Sequence, residues 1–326
     1  MAAAALNTAW TRSNLAILKC LAAMLLLGAC AEKPQQPLTI AVNPWPGYAY
    51  LHLADIKGFY EKEGIHVDIA SFDSLGDSLR AYLHGRVDGL ASTLIESVQA
   101  HYSSPRPVKI ILVADYSNGA DVIVAQRAIG SLADLKGRTV GAELGALGIY
   151  MLQRALAHAE LSLDDVELVN VEQSQALAAM QSNKIDAYVT YPPVSVELIE
   201  SLGAGVIFSS AQIPYEVIDT VSISQQALMA RPEFEMAFRR AWQRALDYAN
   251  EHPDRAAELL AERLGMSVED YRASLNGMVV LDAQAQKSLL NPELSSLEQP
   301  LMNACLTLKH SAVLAHECEH ISRMIY

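Results

Sequence analysis

The chain predicts an α/β fold of two lobes, each a mostly parallel sheet flanked by helices, with a cleft between them. Three observations predict it. "LHGRVDGLAST" (Leu83–Thr93) and "SNKIDAYVTYPP" (Ser182–Pro193) both read as a helix end, a tight turn and a short strand, with Asp88 and Asp186 at matching places 98 residues apart (88 to 186). That distance is too long for a solenoid period and suits a duplicated lobe. Strand, helix, strand, helix, strand then occurs twice in order, the pattern of parallel sheets with right-handed crossovers. Finally, once an N-terminal leader is set aside, roughly three hundred residues remain, enough for two separate cores.

The leader comes first. Arg12 and Lys19 make a positive start, and "LAAMLLL" (Leu21–Leu27) is an apolar run. A bilayer span takes ~20 residues, so this run fits the core of a signal peptide instead. Gly28, Ala29 and Cys30 follow, and "LGAC" resembles the bacterial lipobox. That resemblance implies a signal peptide over 1–29, an acylated Cys30 as first mature residue, and a membrane anchor reached through a polar tether over 30–37. Loss of Arg12 and Lys19 takes the formal charge from −13 to −15. An acidic chain without a basic stripe excludes nucleic acid as a partner. No later stretch is long and apolar enough for a membrane helix.

The two lobes can then be laid side by side. "LTIAV" (Leu38–Val42) and "RTVGA" (Arg138–Ala142) read as buried strands. Each runs into an irregular loop, "NPWPGYAY" and "ELGALGIY", that opens a helix: "LHLADIKGFYEKEG", stopped by Gly64, and "MLQRALAHAEL". Second strands follow in "IHVDIASF" and "VELVNV", then the helices "DSLRAYLHG" and "ALAAMQSNK", then the twin strands. "VKIILVADYSNGADVIVAQR" (Val108–Arg127) reads as two strands round a loop, and "VIDTVSIS" (Val217–Ser224) as a return; these are the expected hinge crossings. Beyond them, "EFEMAFRRAWQRALDYANEHP" spaces Phe234, Ala237, Phe238, Ala241, Trp242, Ala245 and Leu246 by three and four, the mark of a core-facing helix. Two shorter helices follow, with Asp254 and Ser267 as expected N-caps. Cys305 and Cys318 are the pair left for an oxidising compartment and are expected to form a disulfide. Thirteen residues of straight helix at ~1.5 Å each would hold them too far apart, so the bridge requires a turn near His310–Ser311.

In order along the chain, "IAVNPWPGY", "LADIKGFYEKEGIHVDI", "GRVDGLAST", "SNGADVIVA", "SLADLKGRTVGAELGALG", "KIDAYVTYPPV" and "RPEFEMAFRRAWQRALDY" resemble the extracytoplasmic solute-binding proteins of ABC importers. The branch is the nitrate, alkanesulfonate and taurine group, with relatives that carry pyrimidine precursors of thiamine. The resemblance spans Leu38 to Leu290 and weakens over the last thirty-odd residues. It implies a two-lobed periplasmic-binding fold, type II-like, that closes on a small ligand. Lobe 1 would hold 38–125 and 221–326, and lobe 2 126–220. It implies a monomer in the bacterial periplasm, without cofactor or metal, that serves an ABC permease or, in a variant role, a membrane sensor.

In such sheets the ligand lies beyond the carboxyl ends of the strands. Trp45, Pro46 and Tyr48 from the first loop, with Ser92 and Thr93 at the end of a twin strand, are candidate contacts from lobe 1. Glu143, Gly145, Ala146 and Tyr191 are the counterparts in lobe 2, and Asn118, Asp121 and Asp219 come from the crossings. Several helices start here, offering unpaired N–H groups and positive dipole ends to an anion, and none of these loops carries Lys or Arg. The expected ligand is therefore an anion or zwitterion such as taurine, an alkanesulfonate or nitrate, its head group held by amides and hydroxyls. The resemblance places at Asp219 an acid that would pair with an amine end. Trp45, Tyr48, Tyr116 and Tyr191 could instead stack on a ring, which keeps an aminopyrimidine open. Asp88 and Asp186 are read as turn formers.

"HECEH" (His316–His320) matches the zinc-protease pattern H-E-x-x-H. It stands almost at the end of the chain, outside the expected cleft, so a metalloprotease is the weakest alternative. The clustered cysteines of pyrimidine-synthase relatives are missing from the lobes, and no P-loop marks the chain as the importer's ATPase. The expectation is a binding protein, not an enzyme.

Overall fold

The computed structural model describes residues 36–143, 145–291, 296–311 and 313–326. The expected leader, Cys30 and the tether up to residue 35 lie outside the described residues. β1 (Leu38–Val42), β2 (Val67–Ser71) and β3 (Gly89–Thr93) open the fold, with the helices Ala49–Ile56 and Leu75–Leu83 between them. β4 (Val108–Ser117) and β5 (Val122–Ala125) follow the helix Leu94–Ser103. The second round is β6 (Thr139–Ala142), helix Ala146–His158, β7 (Glu167–Asn170), helix Ala176–Gln181 and β8 (Ala187–Thr190). Helix Val194–Leu202 then leads to β9 (Gly205–Ser209), β10 (Ile218–Ser224), a helical tail and β11 (Met278–Val280).

These strands form two sheets, ordered β11-β4-β10-β3-β1-β2 and β7-β6-β8-β5-β9. β1 pairs in parallel with β2 and β3, and β6 does the same with β7 and β8. The antiparallel β10 lies against β3, and β5 lies the same way against β8. The duplication therefore extends to the neighbour order of both sheets. It also explains the matched aspartates. Asp88 Oδ2 accepts the Thr39 N–H at 3.0 Å and Asp186 Oδ2 accepts the Thr139 N–H at 3.0 Å, while their own N–H groups donate back to the Thr39 and Thr139 carbonyls at 2.8 Å. Each aspartate locks the strand it opens to the first strand of its sheet.

The strands exchange between sheets, and this moves both expected boundaries. β5 pairs with β8 and β9, so residues 122–125 belong to the second sheet and not to 38–125. All of β10 pairs with β3 and β4, so Ile218–Thr220 belong to the first. Apolar runs mark that strands exist; only their pairing partners assign them to a sheet. The crossings are consequently Asn118–Asp121 and Ser210–Val217. They are tied together: the Ser117 and Ser210 hydroxyls lie 2.7 Å apart, and the Gly119 N–H donates to Ser210 Oγ at 2.6 Å.

Two local expectations shift. The helix drawn through Gly64 is two helices, Ala49–Ile56 and Phe59–Lys62, parted at Gly58, whose φ of 61° is left-handed. Asp254 lies inside the first turn of helix Pro253–Leu264, which His252 precedes as N-cap, with the proline taking the first helical position. The Ser267 hydroxyl does cap, accepting the Asp270 N–H at 3.0 Å. Helix Phe234–Glu251 buries the seven residues its spacing marked; Phe238 stacks on Tyr60 at 5.5 Å, and Trp242 donates to the Leu281 carbonyl at 2.9 Å. Each buried phenylalanine or leucine among them contributes roughly 1.5–3 kcal/mol.

Helix Glu298–His310 ends where the turn was required. Cys305 and Cys318 are bridged, with Cα atoms 5.9 Å apart. The bridge ties down a tail whose Ile325 pairs with Ile110 on the outer edge of β4. His316 and His320 stand in irregular chain rather than on one helix, and His316 stacks on Tyr102. Among the described residues no group of His, Cys, Asp and Glu could hold a metal ion, and no helix is long and apolar enough to cross a membrane.

Candidate functional site

The carboxyl ends of both sheets converge on two small adjoining cavities, which share Leu75, Asp121, Leu147 and Tyr191. The first sheet contributes Asn43 after β1, Trp45 just before the short turn Pro46–Tyr48 and Tyr48 within it, Thr93 at the end of β3 and Asp219 on β10. The second contributes Glu143 after β6, Gly145 at the start of its helix, Gln173 after β7, and Thr190 and Tyr191 at the end of β8. Asp121 comes from the first crossing. Most of the expected contacts therefore meet in one place.

Four do not line the cavities. Pro46 is buried within its turn. The Ser92 hydroxyl lies against Ser97 Oγ at 3.1 Å, in a buried hydroxyl network that continues to Thr220 and Ser222. Asn118 is exposed, its N–H donating to the Gly277 carbonyl at 2.7 Å. Tyr116 packs on Tyr215 at 4.8 Å beside the crossings. For Ala146 only the backbone is described, and it opens helix Ala146–His158.

The defining feature is a cluster of buried carboxyl groups. Asp115 on β4 lies directly opposite Asp219 on β10. Like charges so placed repel. Asp115 is fully buried; Trp45 Nε1 donates to both its oxygens at 3.2 Å, and burial pushes its carboxyl up to about 7 against that donor's pull. Gly47 is what allows this approach, because a Cβ there would fall 2.0 Å from Asp115 Oδ2. Asp219 accepts the Tyr48 hydroxyl; burial first, then the charges of Asp115 and Asp121, hold it well above the usual carboxylate range. Burial pushes Asp121 up to about 7 and Glu143 up to about 8. Burial also raises Glu96, while the Thr93 hydroxyl and the Leu147 N–H, its hydrogen-bond donors, oppose the rise.

No lining residue among those described is Lys, Arg or His. Arg80 stands by Gly76 at the rim and is committed to Asp77 at 2.7 Å and Glu172 at 3.8 Å. Asp121 Oδ2, Glu143 Oε1, Asp219 Oδ2 and Asn43 Oδ1 are buried without a protein hydrogen-bond partner. Such oxygens cost about 1–3 kcal/mol each when nothing donates to them. Trp45 and Tyr191 meet edge to face at 5.9 Å and form the apolar wall, with the Asn43 amide donating to Tyr191 Oη at 3.3 Å.

Sequence reasoning passed over Glu96 and Asp115. Asp115 was signalled as the one acid inside an apolar strand run, but its meaning depends on the β4–β10 register. Glu96 stands three residues after Thr93, the capping-box spacing. Its carboxylate instead reaches the opposite half of the molecule.

The profile of the family described as NMT1/THI5 like matches residues 45–256. The chain belongs to that family. A Brucella abortus chain named as a binding protein is 26% identical over 260 residues, 77% of this chain and 76% of its own. The taurine-binding periplasmic protein of Escherichia coli is 30% identical over 140 residues, 42% and 43% of the two chains. Among solved structures, the periplasmic aliphatic sulphonate binding protein SsuA of Escherichia coli superposes with a TM-score of 0.71 at 18% identity, over 90% of this chain and 98% of that one. This NMT1/THI5-like chain thus has the periplasmic-binding fold, with both sheets turning their carboxyl ends to one cleft.

Proposed function

We propose that this NMT1/THI5-like protein is the extracytoplasmic binding component of an ABC importer, and that it captures a small solute through a protonated amine, an amidine or an aminopyrimidine edge. One observation carries the reading: three buried carboxylates, Asp121, Glu143 and Asp219, each aim an unpartnered oxygen into a cleft whose described lining holds no cation. N–H donors with positive charge would satisfy all three, and charge-assisted bonds are the strong ones. Trp45 and Tyr191 supply a face for the ligand's apolar part. The two crossings act as the hinge, with 37–121 and 218–326 as one lobe and 122–217 as the other. Cys30 is the lipid attachment point, the periplasm the compartment and the permease the partner. A relative named as a binding protein supports binding without a catalytic step.

This reading departs from the expected anion. Amides and hydroxyls were to hold a sulfonate or nitrate, yet five carboxyl groups crowd the same space. Taurine is the second reading, favoured by the taurine-binding relative and by its ammonium end. A thermal-shift screen separates recognition of a cation from recognition of an anion, because binding only the folded state raises its stability by about 2.7 kcal/mol at a hundred times Kd. Primary amines, amidines and 4-aminopyrimidines should raise the melting temperature, and ethanesulfonate and nitrate should not. A rise with nitrate or ethanesulfonate alone overturns the proposal.

A further inference from the structure

Glu96 sits on helix Leu94–Ser103 of the first-sheet half and is 1% exposed. Its Oε1 accepts the Leu147 N–H at 2.7 Å, and Oε2 accepts the Thr93 hydroxyl. Leu147 lies in the first turn of the thirteen-residue helix Ala146–His158 of the second-sheet half. That first turn, opened by Gly145, is where a ligand's anionic group would find free amides and the positive end of the helix dipole. The chain has placed its own anion there, across the cleft from the helix that receives it.

We propose that Glu96 is the specificity-determining residue of the cleft: it acts as a built-in anion at the start of helix Ala146–His158, turns away ligands that present a sulfonate or nitrate, and leaves only the carboxylate-lined side for recognition. A second anion at Leu147 would have to displace a buried carboxylate that already has two donors. It would also face Asp121 and Glu143, which both feel the Glu96 charge. The same contact spans the two halves, so specificity and the joining of the lobes share one residue. The inference rests on reading the cleft as a solute site.

The test is calorimetric titration of the full chain and of Glu96→Ala and Glu96→Gln with ethanesulfonate, alongside a panel of primary amines and 4-aminopyrimidines. Glu96→Ala frees the amide and removes the charge; Glu96→Gln removes the charge but keeps an acceptor for Leu147. Ethanesulfonate should bind Glu96→Ala at least about ten-fold more tightly than the parent, with Glu96→Gln between them. Equal ethanesulfonate affinity in parent and Glu96→Ala overturns the inference. Should Glu96→Ala lose its cooperative melt, Glu96→Gln decides, and affinity equal to the parent's again overturns it. The amine panel judges the site separately: a parent chain that binds none of it refutes the cleft reading, whereas amine binding without a gain in ethanesulfonate affinity refutes the role of Glu96 alone.

Discussion

Asp219 stands between two pulls. It faces Asp115 across the β4–β10 pair, it accepts the Tyr48 hydroxyl with one oxygen, and its other oxygen is buried and unpartnered. In the folded protein alone this arrangement is a cost; with a cationic ligand it becomes the binding energy. Asp219→Asn should therefore change two quantities in opposite directions. Affinity for an amine ligand should fall by roughly 10–100-fold, the loss expected for a hydrogen bond to a charged group. Stability should rise at a pH high enough to ionise both carboxyls, because the Asn amide oxygen can still accept from Tyr48 while the repulsion with Asp115 disappears. Titration calorimetry and scanning calorimetry on the same samples check the pair; unchanged affinity removes Asp219 from the site. At this scale Glu143 was legible as an acid in the loop after a strand, and Asp121 and Asp219 as acids at the crossings. It hid Asp115 and Glu96, whose roles depend on who lies across a sheet or a cleft. Pattern reading along one strand or one helix has no access to that partner.

Strands β3 and β8 are each preceded by an aspartate that clamps the first strand of its sheet through a backbone contact at 2.8 Å and a side-chain contact at 3.0 Å. The clamp joins elements 49 and 47 residues apart in sequence, and it sits where the parallel register is set. Asp88→Ala and Asp186→Ala should each leave a half-buried N–H without its acceptor and cost about 1–3 kcal/mol, read as a lower urea midpoint. Asp88→Asn and Asp186→Asn, which keep an acceptor oxygen, should recover most of it. If Ala and Asn behave alike, the side-chain bond contributes nothing. Because Asp88 and Asp186 hold strands rather than face ligand, neither change should alter ligand affinity. The repeated phrase was legible because hydrophobic runs and turn residues are local signals. The strand exchange was not: β5 and β10 have the same buried, β-branched composition as their neighbours, and composition cannot say which sheet receives them. The break at Gly58 was missed for a related reason, since a single glycine inside a helical pattern can be tolerated without ending the helix.

The whole molecule should carry the signature of its cleft in its response to pH. Asp115, Asp121 and Glu143 have folded-state values of about 7, 7 and 8, above the ordinary carboxylate range. Over the window from about 4 to 8 the folded chain therefore binds protons that the unfolded chain has shed. By linkage, stability falls as pH rises through that window and levels off above it, by on the order of 1 kcal/mol per pH unit for each excess proton. His52, lowered to about 4 by burial and then by Arg263, works the other way, as does His101, also lowered by burial. Their unfolded forms bind protons up to the usual histidine value, so they oppose the carboxyls only below about 6.5. The decline should thus be steepest from about 6.5 to 8, where most soluble proteins vary little. A cationic solute competes with those protons. Its affinity should climb over the same range, with protons released on binding, and the slope of melting temperature against pH should flatten at saturating ligand. Calorimetric titrations at pH 7 in two buffers of different ionisation enthalpy measure the released protons directly. A melting temperature that rises between 6.5 and 8, or binding without proton release, would mean that the cleft carboxyls are already ionised, and that something other than a cationic ligand balances them.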